Sequence, residues 1–242
     1  LPPQFALAVP LLAAAVAPNA LAQRSPTEAV PDTIEARVQA CIGCHGAQGQ
    51  GVENVYFPRL AGKPAGYLYN QLVAFRDGRR KYVPMNYLLA YLPDPYLSRM
   101  AAYFAALNPP YPGGAGAGDK APPPALVEEG RRLASEGVPA ARVPPCMACH
   151  GTALNGREPG IPGLLGLRAD YVSAQLGAWR YGVRTALAPD CMQFVASSLT
   201  EHQVEAVSAF LAAQPVPPKL RPAPADQKAL PLECGSQQGR IQ

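Results

Sequence analysis

The 242-residue sequence predicts an all-α fold made of two tandem copies of one small helical domain. Three observations predict it. Apolar residues recur at helical spacing in several short segments, and no segment alternates as a substantial sheet demands. A shift of 104 positions lays Pro58, Leu60 and Gly62 on Pro162, Leu164 and Gly166, and then Tyr67, Gln71, Leu72, Phe75, Arg76, Gly78 and Arg80 on Tyr171, Gln175, Leu176, Trp179, Arg180, Gly182 and Arg184. So many matches in one frame mark an internal duplication. Between the copies, Asn108 to Pro124 hold six Pro and four Gly in 17 residues, a linker with stiff ends and a flexible middle.

Residues 1–22 come first. Phe5 to Val16 is apolar and Ala20-Leu21-Ala22 is a small-x-small site, the pattern of a secretory signal peptide. A retained anchor is the alternative, but Pro10 and Pro18 interrupt a run shorter than the roughly 20 residues a spanning helix needs. On either reading the remainder is exported. The first domain spans about 31–108. Asp32 with Glu35 reads as a capping box, with Ile34, Val38 and Cys41 on one face. Tyr67, Leu68, Leu72 and Phe75 form a second stripe ending at Gly78, and Leu97, Met100, Phe104 and Leu107 a third. After the linker at 109–124, the second domain spans 125–214, with helices over Leu126 to Glu136, Tyr171 to Arg180, and Thr200 to Ala213. Residues 215–242 are a Pro-rich C-terminal tail.

Composition narrows the function classes. The hydrophobic fraction of 48% is ordinary for a globular protein, and no stretch reads as a multi-pass membrane protein. With 21 basic and 17 acidic residues, the net charge of +4 is too balanced for a nucleic-acid binder. The one basic run, Arg79-Arg80-Lys81, reads as a solvated turn. Domains of this size have limited cores, so a buried apolar group would supply surface that the sequence lacks.

The cysteines say which group. Cys41-Ile42-Gly43-Cys44-His45 and Cys146-Met147-Ala148-Cys149-His150 are two copies of C-x-x-C-H. Thiols one helical turn apart can add to the two vinyl groups of a haem, and the adjacent His then lies beneath the iron. A zinc site would need a second ligand pair near each copy, and none follows at ribbon spacing. A dithiol redox centre would explain neither His. The motifs therefore predict two covalently bound haems c.

The sixth ligand separates electron carriage from catalysis, because an iron closed on both faces has no place for substrate. Of four Met, Met147 lies inside a motif and Met100 on a helical stripe. Met85 and Met192 remain, 40 and 42 residues after their proximal His, and each falls in the irregular segment between the second and third helices of its half. They are the predicted distal ligands. His202, one turn into a helix, reads as a surface residue. Cys191 and Cys234 are left over. In an oxidising compartment they read as a disulfide tying the tail to the second domain, with a Cys191 thiolate on the second iron as the competing reading.

Over about residues 31 to 214 the chain resembles a two-haem cytochrome c of the c4 type, two class I cytochrome c domains in tandem. The resemblance rests on both C-x-x-C-H motifs, the Pro-x-Leu-x-Gly stretches at 58–62 and 162–166, and the Tyr…Gln-Leu…Phe/Trp-Arg-x-Gly helices. It implies His45 with Met85 on one haem and His150 with Met192 on the other. It further implies periplasmic electron transfer between redox proteins, with a dehydrogenase or quinol-oxidising complex as donor and a terminal oxidase as acceptor. No nucleic acid is involved, and membrane association would come through a partner or an uncleaved leader. Three features depart from the pattern: Val83-Pro84-Met85-Asn86 lacks a paired Met, Cys191 adjoins Met192, and the tail is longer than the fold needs. Cys191 motivates one alternative, a haem enzyme resembling the two-haem thiosulfate dehydrogenases. The tail motivates another, the cytochrome subunit of a dehydrogenase complex. No catalytic residues stand out beyond the haem sites.

Overall fold

The computed structural model describes residues 32–52, 56–111, 121–218, 220–226 and 228–237. The expected leader, the middle of the linker and the end of the tail lie outside them. The first half runs α1 (Ile34–Arg37), α2 (Gln39–His45), α3 (Ala65–Arg76), α4 (Val83–Leu89) and α5 (Asp94–Ala106). The second runs α6 (Pro124–Glu136), α7 (Cys146–His150), a two-residue antiparallel hairpin of β1 (Gly156–Arg157) and β2 (Ile161–Pro162), α8 (Ala169–Arg180), α9 (Cys191–Ser198) and α10 (Glu201–Ala213). The fold is all-α in every element that matters to packing. Among the described residues, no helix is long and apolar enough to cross a membrane.

Each half closes its termini on one another. In the first, Val38 is buried with Leu97, Met100, Ala101 and Phe104 of α5, and Leu68 and Phe75 of α3 complete the core. In the second, Ala134 of α6 meets Val207, Phe210 and Leu211 of α10. Helix α10 starts with a complete capping box, in which Thr200 accepts from Gln203 N and the Gln203 side chain accepts from Thr200 N.

Three expectations need correction. Thr33, not Asp32, caps α1: its hydroxyl accepts from Ala36 N, while Asp32 pairs with Arg37. The helix also breaks at Val38, so α1 and α2 are separate. The segments bearing Met85 and Met192 are helical, not irregular. Pro84 falls in the first turn of α4, where a missing N–H costs nothing, and Asp190 caps α9 by accepting from Gln193 N.

The halves meet along a quasi-symmetric seam. Arg80 and Arg184 form an antiparallel bridge, flanked by Lys81 N to Val183 O at 3.2 Å and Thr185 N to Arg79 O at 2.6 Å.

Candidate haem sites

The two C-x-x-C-H motifs end helices α2 and α7, and both histidines are buried, His45 at 7% exposure and His150 at 8%. Their surroundings match. His45 Nδ1 lies 2.8 Å from the Pro58 carbonyl, and His150 Nδ1 lies 2.8 Å from the Pro162 carbonyl. A carbonyl can only accept, so in each ring Nδ1 carries the proton and the Nε2 lone pair is free for a metal. Burial lowers the pKa of both imidazoles and keeps them neutral, the form that ligates. Burial also pushes the Cys41 and Cys146 thiols up to about 11. A dithiol redox centre or thiolate metal site needs the opposite shift, whereas thiols destined for thioether bonds do not.

In the second half, Cys146, Cys149, His150 and Met192 line one cavity, which holds about 1450 Å³ including its open mouth. Its walls are apolar, among them Val172, Leu176, Val195 and Leu211. The first half brings Cys41 and Met85 onto one core with Leu97 and Phe75. Met85 and Met192 each sit on a short helix, at the third and second residue respectively.

The polar lining fits a haem at its charged end. Trp179 Nε1 is buried and has no hydrogen-bond acceptor among the described residues. Arg184 stacks over the Trp179 ring at 3.6 Å, and Lys63, Tyr67 and Tyr171 share the lining. The lining carboxylate, Asp190, already accepts from Gln193 N at 3.0 Å and Ala186 N at 2.6 Å. The cluster thus has donors in excess of acceptors. Burial, with the like charge of Arg80, lowers the Arg184 guanidinium to about 10. Burial would raise the Tyr67 phenol, but Arg184, Arg80 and Lys63 outweigh it and hold it at about 8. Two propionate carboxylates are what such a lining lacks.

The seam completes this cluster and corrects a further expectation. Arg80 is not a solvated turn residue. Its guanidinium reaches Gln71 at 3.0 Å, Gln175 at 2.7 Å and Tyr171 at 3.2 Å, and Arg184 mirrors it on Gln175 at 2.8 Å, Gln71 at 2.7 Å and Tyr67 at 3.3 Å. Sequence reading missed this network, although the signal was in the repeat: Tyr, Gln and Arg recur in register where no apolar face requires them.

His202 lies apart from the haem sites, exposed on α10 and in contact with Glu129 at 2.9 Å. Cys191 and Cys234 form a disulfide beside Met192, in the wall of the second cavity.

The sequence pattern of the cytochrome c family matches residues 35–102. The chain is 38% identical over 181 residues to a thiosulfate dehydrogenase electron acceptor from Thiomonas intermedia, covering 74% of this chain and 80% of that protein. Its fold resembles reduced cytochrome c4 from Pseudomonas stutzeri, with a TM-score of 0.62 at 31% identity over 74% of this chain and 95% of that one. It also resembles a thiosulfate dehydrogenase from Marichromatium purpuratum, with a TM-score of 0.62 at 34% identity. There the match spans 72% of this chain but only 36% of the other.

Proposed function

Because the chain belongs to the c4-type di-haem cytochromes, electron carriers with two covalently bound haems c, we propose that it relays single electrons between redox proteins in the periplasm, with His45 and Met85 holding one iron and His150 and Met192 the other. The haems supply a one-electron iron couple, and thioether ligation favours its reduced state. The chain's own residues orient the imidazoles through Pro58 and Pro162, exclude water with apolar walls, and meet the propionates with the Arg80–Arg184 cluster. One observation carries the reading: both histidines are buried, Nδ1-anchored and neutral in the same way, each with a methionine on a short helix of its own half. Two closed irons suit a carrier.

The donor we favour is a thiosulfate-oxidising dehydrogenase, and the acceptor a terminal oxidase. The likeness to a protein described as a thiosulfate dehydrogenase electron acceptor supports the first half of that pair. A sulfur-oxidising enzyme with a thiolate-ligated haem is disfavoured, since the disulfide withholds Cys191 from the iron.

Two measurements test the proposal. Oxidised holoprotein should show two low-spin haems per chain, each with the weak red band of a methionine–iron(III) bond. It should also be reduced by a thiosulfate dehydrogenase in the presence of thiosulfate, and not by thiosulfate alone. Thiosulfate oxidation by the isolated chain, or a high-spin haem, would overturn the carrier reading.

A further inference from the structure

The tail is not an appendage. It leaves α10 with Val216 and Leu220 on the second core, then runs beside the loop that follows the proximal histidine. There Ala223 N donates to Gly156 O and Glu158 N to Ala223 O, both at 2.9 Å, and Arg157 pairs with Asp226 at 2.7 Å. Asn155 Nδ2 donates to Arg221 O at 2.6 Å. The chain next crosses the cavity, where Leu230, Leu232, Cys234, Ser236 and Gln237 contribute to its lining. It is fastened on the far side by three contacts. Cys234 is bonded to Cys191, Gly235 N donates to Pro189 O at 2.9 Å, and Asn70 of the first half donates to Ser236 O at 2.9 Å. The approach at Gly235 is close enough that a Cβ there would lie 2.1 Å from Ala188 O. Residues 221–226 and 228–234 therefore run from the proximal loop to the start of the distal helix, and Gln237 Nε2 donates back to Gly160 O of that loop at 3.0 Å. Among the described residues, no such segment crosses the first half.

We infer that this strap, locked by the Cys191–Cys234 disulfide, is a positioning element for the second haem: it holds the start of α9, and with it Met192, over the crevice and seals that haem from external ligands. Among the described residues the first half's distal helix carries no such strap, so exchange with outside molecules is assigned to the first site and relay to the second. The inference rests on the proposed Met192 ligation. Its physical basis is local opening. A distal helix released from a covalent tie to its neighbour opens more often, and ligand capture at a closed iron follows the open population.

The experiment uses intact, loaded, full-length protein. Dithiothreitol cleaves the disulfide, giving two protein thiols while the dithiol closes to its cyclic disulfide. The thiols are then capped with N-ethylmaleimide and the haems reoxidised with ferricyanide. Imidazole binding is followed optically before and after. The expected result is a rate increase of about tenfold or more at one of the two haems, with the other unchanged. The double variant Cys191→Ser/Cys234→Ser, made without any reductant, should reproduce it. Unchanged rates at both haems would overturn the inference, as would equal acceleration at both, which would mark a general loss of stability. A second haem without a methionine band in the untreated protein would overturn the Met192 assignment and this inference with it, whereas unchanged imidazole rates beside an intact methionine band would overturn the inference alone.

Discussion

The two halves share a frame but not a distal face. On the first, α4 presents Val83 at 81% exposure and Tyr87 at 82%, and Tyr91 just beyond it stands at 95%. On the second, α9 begins at a disulfide and lies next to the tail. What the halves keep in common are the features each needs from itself or from the other: the C-x-x-C-H turn, the proline carbonyl behind each histidine, and the Tyr–Gln–Arg seam. What differs faces outward. The repeat keeps the residues proposed to orient the haems and those that join the halves, while among the described residues the outer surfaces diverge into one exposed face and one lying against the tail.

The disulfide is where that contrast breaks most visibly. Removing it with Cys191→Ser/Cys234→Ser opens a link spanning 43 residues and should cost up to about 4 kcal/mol on a chain-entropy basis. Hydrogen exchange read by segment should place the loss in α9, the tail and the 155–158 loop, leaving α4 and α5 unmoved. A second test addresses how each half packs its terminal helices. A Cβ at Gly130 would lie 2.0 Å from Ala206 O and 2.6 Å from the Phe210 Cβ, so α6 approaches α10 at backbone distance. Gly130→Ala should destabilise the second half by about 3 kcal/mol, since the helices must separate. In the first half the corresponding contact is made by side chains around Val38, and Val38→Ala there should cost about 1–2 kcal/mol through lost burial.

The seam is where the halves should behave as one. Arg184, at 3% exposure, and Arg80 share Gln71 and Gln175 as acceptors. Either Arg→Ala change removes one of the two donors on each half-buried amide oxygen, at about 1 kcal/mol per hydrogen bond. Because both act on the same two glutamines, the double-mutant cycle should show a coupling of about 1 kcal/mol or more. Strict additivity in urea midpoints would mean that the bridge is two independent contacts and that the symmetry is only geometric.

How much of this was legible beforehand follows the range of the interactions. Haem attachment is covalent and local, so two C-x-x-C-H motifs suffice to read it, and the helical stripes of α3, α5 and α10 are periodic within themselves. Met85 and Met192 are proposed as ligands from spacing, but the helices carrying them could not be read that way. Pro84 looks like a breaker until it is seen to occupy a first turn. Asp32 looked like the cap because Thr33 and Asp32 are adjacent candidates and only geometry chooses between them. Arg80 looked solvated because its partners, Tyr171 and Gln175, lie in the other copy. The tail has no periodicity: the Cys191–Cys234 pair marks its anchor in the sequence, but the bonds of Ala223 with Gly156 and Glu158 that guide its route are made by backbone atoms, which any residue type supplies.

The smallest expected effect concerns Arg76 and Arg180, which occupy equivalent positions in the repeat. Arg76 pairs with Asp77 at 3.0 Å and with Asp94 at the start of α5, whereas Arg180 donates to the Leu199 carbonyl before α10. The first arrangement contains titrating groups and the second does not. The hydrogen bond from Arg76 holds the Asp94 carboxyl below its ordinary value of 3.8. At Asp77, burial would raise the carboxyl, but Arg76 and Arg79 outweigh it and hold it lower too. A carboxyl with a lowered folded pKa contributes stability above its unfolded pKa and loses that contribution as pH falls through the folded one. Both carboxylates are largely solvent-screened, so the contribution is small. Asp94→Asn should therefore lower the urea midpoint slightly at about pH 6, and the gap to the parent should narrow towards about pH 2 as the parent's own carboxyl takes up its proton. No such pH-dependent gap is expected for the second half, where a carbonyl takes the carboxylate's place. A gap of equal size at both pH values would mean that Asp94 acts by packing or by its place in the first turn of α5, and that the two arginines hold their halves in the same way.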